Sequence, residues 1–547
     1  MNLRPLLSII ILSLAALLLV PLAAVQAANF HVAPDGNDGV SGTSSQMAWK
    51  SLERVNSQLL QPGDVVLFRS GGVWRGQLRT QGSGADSKAI RLDRYGDGPL
   101  PVIDAGTNVG AVVSLVDQDW WEIRHLDLRG SGTNALSGDR QGIHVQGQKA
   151  ARVLRHIHIT DCHIADIQGT LGYNSCGILV TVPSWENAKT SNPKLSVTDL
   201  LIASNDVRRV SRVGIFALVG GAWPRQVSTN RDSSAVFAWG SRPPGRDIVV
   251  RGNTVEDLGG DAIMVIGADK PLVEHNTVRR SCQRTGASDV KEEPGYNPHS
   301  AAIWMQHCLG GLMQFNDVSH TRRQPGNGDA TAFDFDFNSF HCAVQYNVSR
   351  ENDGGLLLVM NTARHNVVRY NLCQNDGRLF YLQGELEAEN LIHNNVFYND
   401  RGQADVVLRL WDHTRKDSVG VRLRNNIFLA QKAGRFGLLF STSLKNGQFV
   451  GTRDSANPGM FVHNCFYGTW ETGSPNDPQK LEADPKFVEA GTGGAGLSSW
   501  RGYQLWPNSP CLNAGLVIPD CGGRDFWGNL LRDGKQDIGA HECLETK

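Results

Sequence analysis

The segment 328–340 reads GDATAFDFDFNSF, with Asp334 and Asp336 alternating with Phe333, Phe335 and Phe337. On an extended strand successive side chains face opposite ways. The phenylalanines therefore share a buried face, and the two carboxylates stand together on the other. Two residues of strand separate their Cα atoms by about 6.6–6.8 Å. Side-chain rotation brings the carboxylates to roughly 5–9 Å, which spans both the retaining and the inverting arrangement of glycoside hydrolysis. Paired acids on a partly covered face split their titration, one held as the acid and one ionised. Asp261, Asp329, Glu351 and Asp353 fall at turns beside the same strand and are alternates for either role. A rival chemistry is β-elimination or epimerisation at a uronate. There Asp334 and Asp336 would hold Ca²⁺, and Arg409, Arg378 or Lys291 would serve as base or charge clamp. Arginine is a poor base because its pKa exceeds about 12, so hydrolysis, which needs no cofactor or metal, is the favoured reading.

The element that must carry these acids is set by a repeat. From about residue 150 onward an alternating apolar strand, an Asn and a further apolar step recur: LIASNDV, VVRGNTV, LVEHNTV, LMQFNDV, AVQYNVS, VVRYNLC, LIHNNVF and VRLRNNIF. The Asn positions are 205, 253, 276, 316, 347, 371, 395 and 426, and Asn347, Asn371 and Asn395 are each 24 residues apart. A β period within a coil of this length predicts an all-β fold, a right-handed parallel β-helix. Asn suits it because it tolerates the left-handed region and bonds its stacked neighbours. A second strand per coil follows, aligned as GIHVQ, GILVT, GIFAL, AIMVI, AIWMQ, AFDFD, LLLVM, LFYLQ and VLRLW. Its second and fourth positions are apolar and point inward. Its third and fifth positions point out, which sets Trp304, Gln306, Tyr381, Gln383, Arg409 and Trp411 around Asp334 and Asp336 on rungs about 4.8 Å apart. Aromatic faces cover pyranose rings while amides, Arg and carboxylates bind hydroxyls. These six are the expected substrate-binding residues of a groove for a polysaccharide or oligosaccharide. A carbohydrate-binding solenoid without catalysis is the third reading, in which the aromatics matter and the acids do not.

Loops at about 183–198, 219–245, 281–300 and 321–330 interrupt the repeat and could wall the groove. They carry Trp185, Glu186, Trp223, Arg225, Lys291, Glu292, Glu293, Tyr296 and His299. With 53 Lys and Arg against 54 Asp and Glu in 547 residues, the chain has no basic excess, which argues against a nucleic-acid partner. Residues 1–27 read as a signal peptide: Arg4, a long apolar run, then Val25-Gln26-Ala27. The expected protein is secreted or periplasmic and free of the membrane after cleavage. Of ten cysteines, Cys511 and Cys521 flank a short loop and are the expected disulfide. Residues 28–100, with apolar Leu52, Val55, Leu59 and Leu60 at helical spacing, are expected to cap the N-terminal end with a helix. Residues 101–480 form the β-helix, and 481–547 a C-terminal coil and cap.

Three stretches carry a family resemblance. FHVAPDGNDGVSGTSSQMAWKSLERVN…LQPGDVVLFRSGGVWRGQL, DGGLLLV and SPCLNAG…DIGAHE resemble exported bacterial right-handed parallel β-helix proteins of the pectate-lyase-like superfamily. The likeness covers nearly the whole chain after the leader. It implies the fold and a carbohydrate substrate. It does not choose among lyase, hydrolase and epimerase, because one fold hosts all three.

Overall fold

The computed structural model describes residues 26–106, 110–130, 138–148, 152–183, 195–220, 224–226, 237–239, 243–284, 299–324, 328–383, 389–409, 420–441, 444–445, 448–449, 459–471, 473–531 and 534–543. Most of the expected signal peptide lies outside them.

Alternating apolar residues build three long sheets. Sheet I has 14 strands, from Asn29–Val32 to Phe461–Val462. Sheet II has 13, from Val73–Arg75 to Cys465–Tyr467, and sheet III has 11, from Ala111–Val116 to Arg435–Ser441. Their neighbours pair in parallel. One coil runs Ser196–Ala203 in sheet I, Asp206–Val210 in sheet II and Val213–Leu218 in sheet III, and returns to sheet I at Arg246–Arg251. The chain is a parallel β-helix. Each coil has three strands rather than the expected two, because the short step after each Asn pairs as a sheet of its own.

The inward columns of sheet III are as expected. Ile178, Ile215, Ile263, Ile303, Phe333, Leu357 and Phe380 stack in register, and all are buried. Each such side chain contributes about 1.5–3 kcal/mol through burial. Phe397, Phe428 and Phe466 continue the filling as a ring stack, with centroids 5.0 and 5.3 Å apart. Phe337 is not part of this core. The strand ends at Phe335, and Phe337 is 37% exposed on the turn.

The Asn ladder sits at the corner between sheets I and II. The Oδ1 of each Asn accepts both the backbone N–H and the Nδ2–H of the previous Asn, as from Asn347 to Asn371 at 3.0 Å each and from Asn371 to Asn395 at 2.9 Å each. Asn464 extends the ladder, and Asp477 accepts its last bonds. The left-handed residue is the one before each Asn, not the Asn itself. Ser204, His275, Phe315, Tyr346 and Tyr370 all have φ between 51° and 57°. The Asn bonds hold a corner that costs these side chains strain.

The expected N-terminal helix is short, Leu52–Ser57, with the Ser51 hydroxyl accepting the Arg54 N–H. Leu52 and Val55 are buried on it and Leu60 beyond it, while Leu59 is 58% exposed. Among the described residues no helix is long and apolar enough to cross a membrane. None of the cysteines forms a disulfide, and Cys511 meets Cys465 on the last coil rather than Cys521. The Cys521 sulfur instead accepts the Gln536 amide at 3.1 Å.

Candidate active site

Asp334 lies on the middle residue of strand Phe333–Phe335, paired with Trp304 on one side and Leu358 on the other. Both neighbours are buried, and Asp334 itself is 5% exposed. Its Oδ1 has no hydrogen-bond partner. An unsolvated carboxylate between apolar side chains resists ionisation. Burial first, and then the charges of Asp336, Asp329 and Asp261, raise its pKa well above the usual carboxylate range. Asp336 follows where the strand gives way to a turn, its own N–H bonded to the Met305 carbonyl at 3.0 Å. It is only partly buried, and its Oδ1 accepts the Phe337 N–H at 2.5 Å. Burial, opposed by that N–H and reinforced by Asp329 and Asp261, brings its pKa to about 7.

Asp329 arrives from the turn before the same strand. Its side chain is 18% exposed, and Oδ2 lies 3.5 Å from Nδ1 of the exposed His299. Two features outside the strand fix this turn. Arg378 is buried and donates from Nη2 to the Gly328 and Asp329 carbonyls at 2.8 and 2.9 Å, and from Nε to Gly354 at 3.1 Å. Its guanidinium lies 4.7 Å from the Tyr381 ring centroid, and burial lowers its pKa to about 10. The glycines of DGGLLLV let the rungs close. A Cβ on Gly354 would come within 2.0 Å of the Asp329 carbonyl, and one on Gly355, at φ +91°, within 1.5 Å of the Arg378 carbonyl.

Asp261 is committed elsewhere. It accepts the Ala301 N–H at 3.0 Å and the Trp304 Nε1–H at 2.8 Å, and pairs with Arg212 at 3.0 Å with both side chains buried. Arg212 in turn covers the Tyr173 ring at 4.5 Å and donates to the His299 carbonyl at 2.9 Å. Nothing in the repeat marks Arg212 or Tyr173, because their partners come from other coils and from loops. Glu351 pairs with His320 at 2.8 Å and with Arg401, and Asp353 with Arg322 at 3.4 Å. The neighbouring carboxylates whose charges act on both Asp334 and Asp336 are Asp329 and Asp261, not these two.

The expected sugar platforms are corrected in two ways. Trp304 is 7% exposed and Tyr381 5%, so neither offers an open ring face. Leu179, Phe216, Met264 and Trp304 form a second apolar cluster on the outside of sheet III. Gln383 is also buried, while Gln306 is half-buried. The register differs as well: Tyr381 pairs with Val407, and Arg409 with Gln383, so Arg409 takes the column assigned to Trp411. A two-residue slip keeps every side chain on its face, so alternation cannot detect it. Trp411, Lys291, Trp185, Glu186, Trp223, Glu292, Glu293 and Tyr296 lie outside the described residues, and the side chains of Arg225 and Arg409 are not described.

No family model matches the chain. It is 26% identical to a lacto-N-biosidase of Bifidobacterium longum subsp. longum over 93% of its own length and 36% of the relative's. The two are distant homologues. The chain therefore spans about a third of that relative. Two crystal structures of the GH136 lacto-N-biosidase from Eubacterium ramulus, the selenomethionine derivative and the native protein, superpose with TM-scores of 0.58 and 0.57. Each shares 22% identity, covering 75% of this chain and 68% of the other, which shows a common fold.

Proposed function

We propose that the chain hydrolyses a glycosidic bond of an oligosaccharide or polysaccharide at the outer face of sheet III, with Asp336 as proton donor. The observation that carries this reading is the carboxylate cluster on and beside strand Phe333–Phe335. Asp336 reaches solvent with a pKa of about 7, so near neutrality it holds a proton to give. Asp329, the other carboxylate of the cluster with solvent access, is the partner of Asp336 in the reaction, oriented by the Arg378 clamp and facing His299. Asp334 lies beneath them as a neutral acid. The distant likeness to lacto-N-biosidase supports a substrate cleaved by hydrolysis. The leader-like N-terminus supports action after export, where such saccharides are met.

Hydrolysis is favoured over elimination because both described arginines beside the cluster are engaged: Arg378 spends three N–H bonds on backbone carbonyls, and Arg212 is paired with Asp261. A lyase needs a cation free to face the substrate carboxylate.

The test is incubation with a saccharide panel that includes the substrates of lacto-N-biosidases, with and without chelator. New reducing ends without an unsaturated product, insensitive to chelator and formed far more slowly by Asp336→Asn, are expected. An unsaturated product, or saccharide binding without any cleavage, would overturn the reading in favour of a lyase or a binding solenoid.

A further inference from the structure

Sheet I carries a second cluster of chemistry-bearing side chains on its own outer face. Glu122 on strand Trp121–Arg124 pairs directly with His158 on strand Val153–Thr160. His156 precedes them in the left-handed region, φ 54°, as do Trp120 at 59° and Asp199 at 57° on the flanking rungs. That corner stacks the His156 ring on Trp120 at 5.1 Å and brings it to 3.9 Å from the His158 ring. One ligand atom each from Glu122, His156 and His158 falls within 4.8 Å of the others.

The surrounding bonds turn these atoms toward one another. Arg91 Nε and Arg124 Nη2 both bond Oε2 of Glu122, each at 3.1 Å, which leaves Oε1 facing His156. Asp199 takes His156 Nδ1 at 2.8 Å on one oxygen and His158 Nε2 at 2.9 Å on the other. With those nitrogens as donors, each imidazole keeps one lone pair, on Nε2 of His156 and Nδ1 of His158. His156 Nε2 then stands 3.5 Å from Glu122 Oε1. That is long for an N–H···O bond, which lies near 2.7–3.2 Å. It is close to the roughly 3.3 Å between two ligands of one tetrahedral Zn²⁺ with bonds of about 2.0–2.1 Å. A carboxylate bonded behind each metal-binding imidazole is also the usual support of such a site.

We propose that Glu122, His156 and His158 bind a divalent transition-metal ion, with Asp199 orienting both imidazoles. Two nitrogens and one carboxylate oxygen select Zn²⁺ or a neighbouring transition ion over Ca²⁺ or Mg²⁺, which take oxygen ligands. The ion ties adjacent rungs of sheet I, away from the sheet III aspartates, and is independent of the hydrolytic reading.

The full chain, treated with chelator and desalted, is titrated with ZnCl₂ by calorimetry and with CoCl₂ by visible absorption. One equivalent of Zn²⁺ is expected to bind and to raise the melting temperature. Co²⁺ should give the strong absorption of a low-coordinate N/O site. His158→Gln and Glu122→Gln are each expected to weaken binding by about a hundredfold or more, and Asp199→Asn by about ten- to a hundredfold. The metal-free melting temperature of each variant shows that it is folded, so that any one folded variant decides. Absence of stoichiometric binding, or wild-type affinity in a folded His158→Gln or Glu122→Gln, would overturn the site. A cluster held by a proton on His156 would give that result.

Discussion

Asp336 and Asp334 are two residues apart and meet different environments, so substitution should separate their roles. Asp336→Asn removes the proposed donor and is expected to lower turnover by about a hundredfold or more, with folding intact. The protonated form is the active one. Activity should therefore hold below about pH 7 and fall as the pH rises through that value, a limb that disappears in the residual activity of the variant. Asp334 makes a stability prediction instead. Its folded pKa is raised, so the stability its proton contributes is complete below the unfolded value of about 3.9 and is lost as pH rises through the folded value. Asn is neutral throughout. Asp334→Asn should thus gain melting temperature over the wild type on going from acid to neutral and alkaline pH. A constant difference across that range would mean that Asp334 is not a buried acid whose ionisation costs stability.

At the level of elements, the strand and its two bracing rungs act together. Gly355 has φ +91° and no room for a Cβ beside the Arg378 carbonyl. Gly355→Ala should cost about 1–3 kcal/mol in urea unfolding, and should lower turnover beyond what the lost stability explains, because the shift passes through Arg378 to Asp329. If turnover followed the folded fraction alone, the clamp would have no positioning role. What the sequence made legible here follows from periodicity. Alternation placed Phe333 and Phe335 inside and the aspartates outside, and it set Trp304 one rung behind Asp334. It could not show that Trp304 is covered, since its cover comes largely from Asp261 and the Tyr173–Arg212 pair, far away in sequence. Nor could it fix the register of Arg409, because a shift of two residues conserves the pattern.

For the whole molecule, one physical cause makes the fold legible in the sequence and sets its most rigid part. In a solenoid each coil contacts mainly its neighbours, so stability is a sum of repeat and interface terms and varies along the axis. The Asn residues announce the repeat because every coil needs one at the same corner, where each closes bonds to the coils on both sides. The ladder is continuous from Asn205 to Asp477. Its most regular part is Asn347, Asn371 and Asn395, at the 24-residue spacing, with stacked Phe315, Tyr346 and Tyr370 outside and Phe380 and Phe397 packed inside. The Asp329, Arg378 and Gly355 contacts are built on these coils, which keeps the carboxylates in place on a stiff support. Asn371→Ala would orphan the buried Asn347 N–H and remove the Asn371 bonds to the Val344 carbonyl and Asn395. Each buried group left unpaired costs about 1–3 kcal/mol, so the midpoint of urea unfolding should drop clearly. In native-state hydrogen exchange, the amides of Asn347, Asn371 and Asn395 should be among the slowest in the wild type, and the loss in Asn371→Ala should be largest on the adjacent coils and fade toward the ends. A uniform loss along the whole axis would show that the solenoid opens as one cooperative unit, and that the rigidity beneath the aspartates belongs to the molecule rather than to these coils.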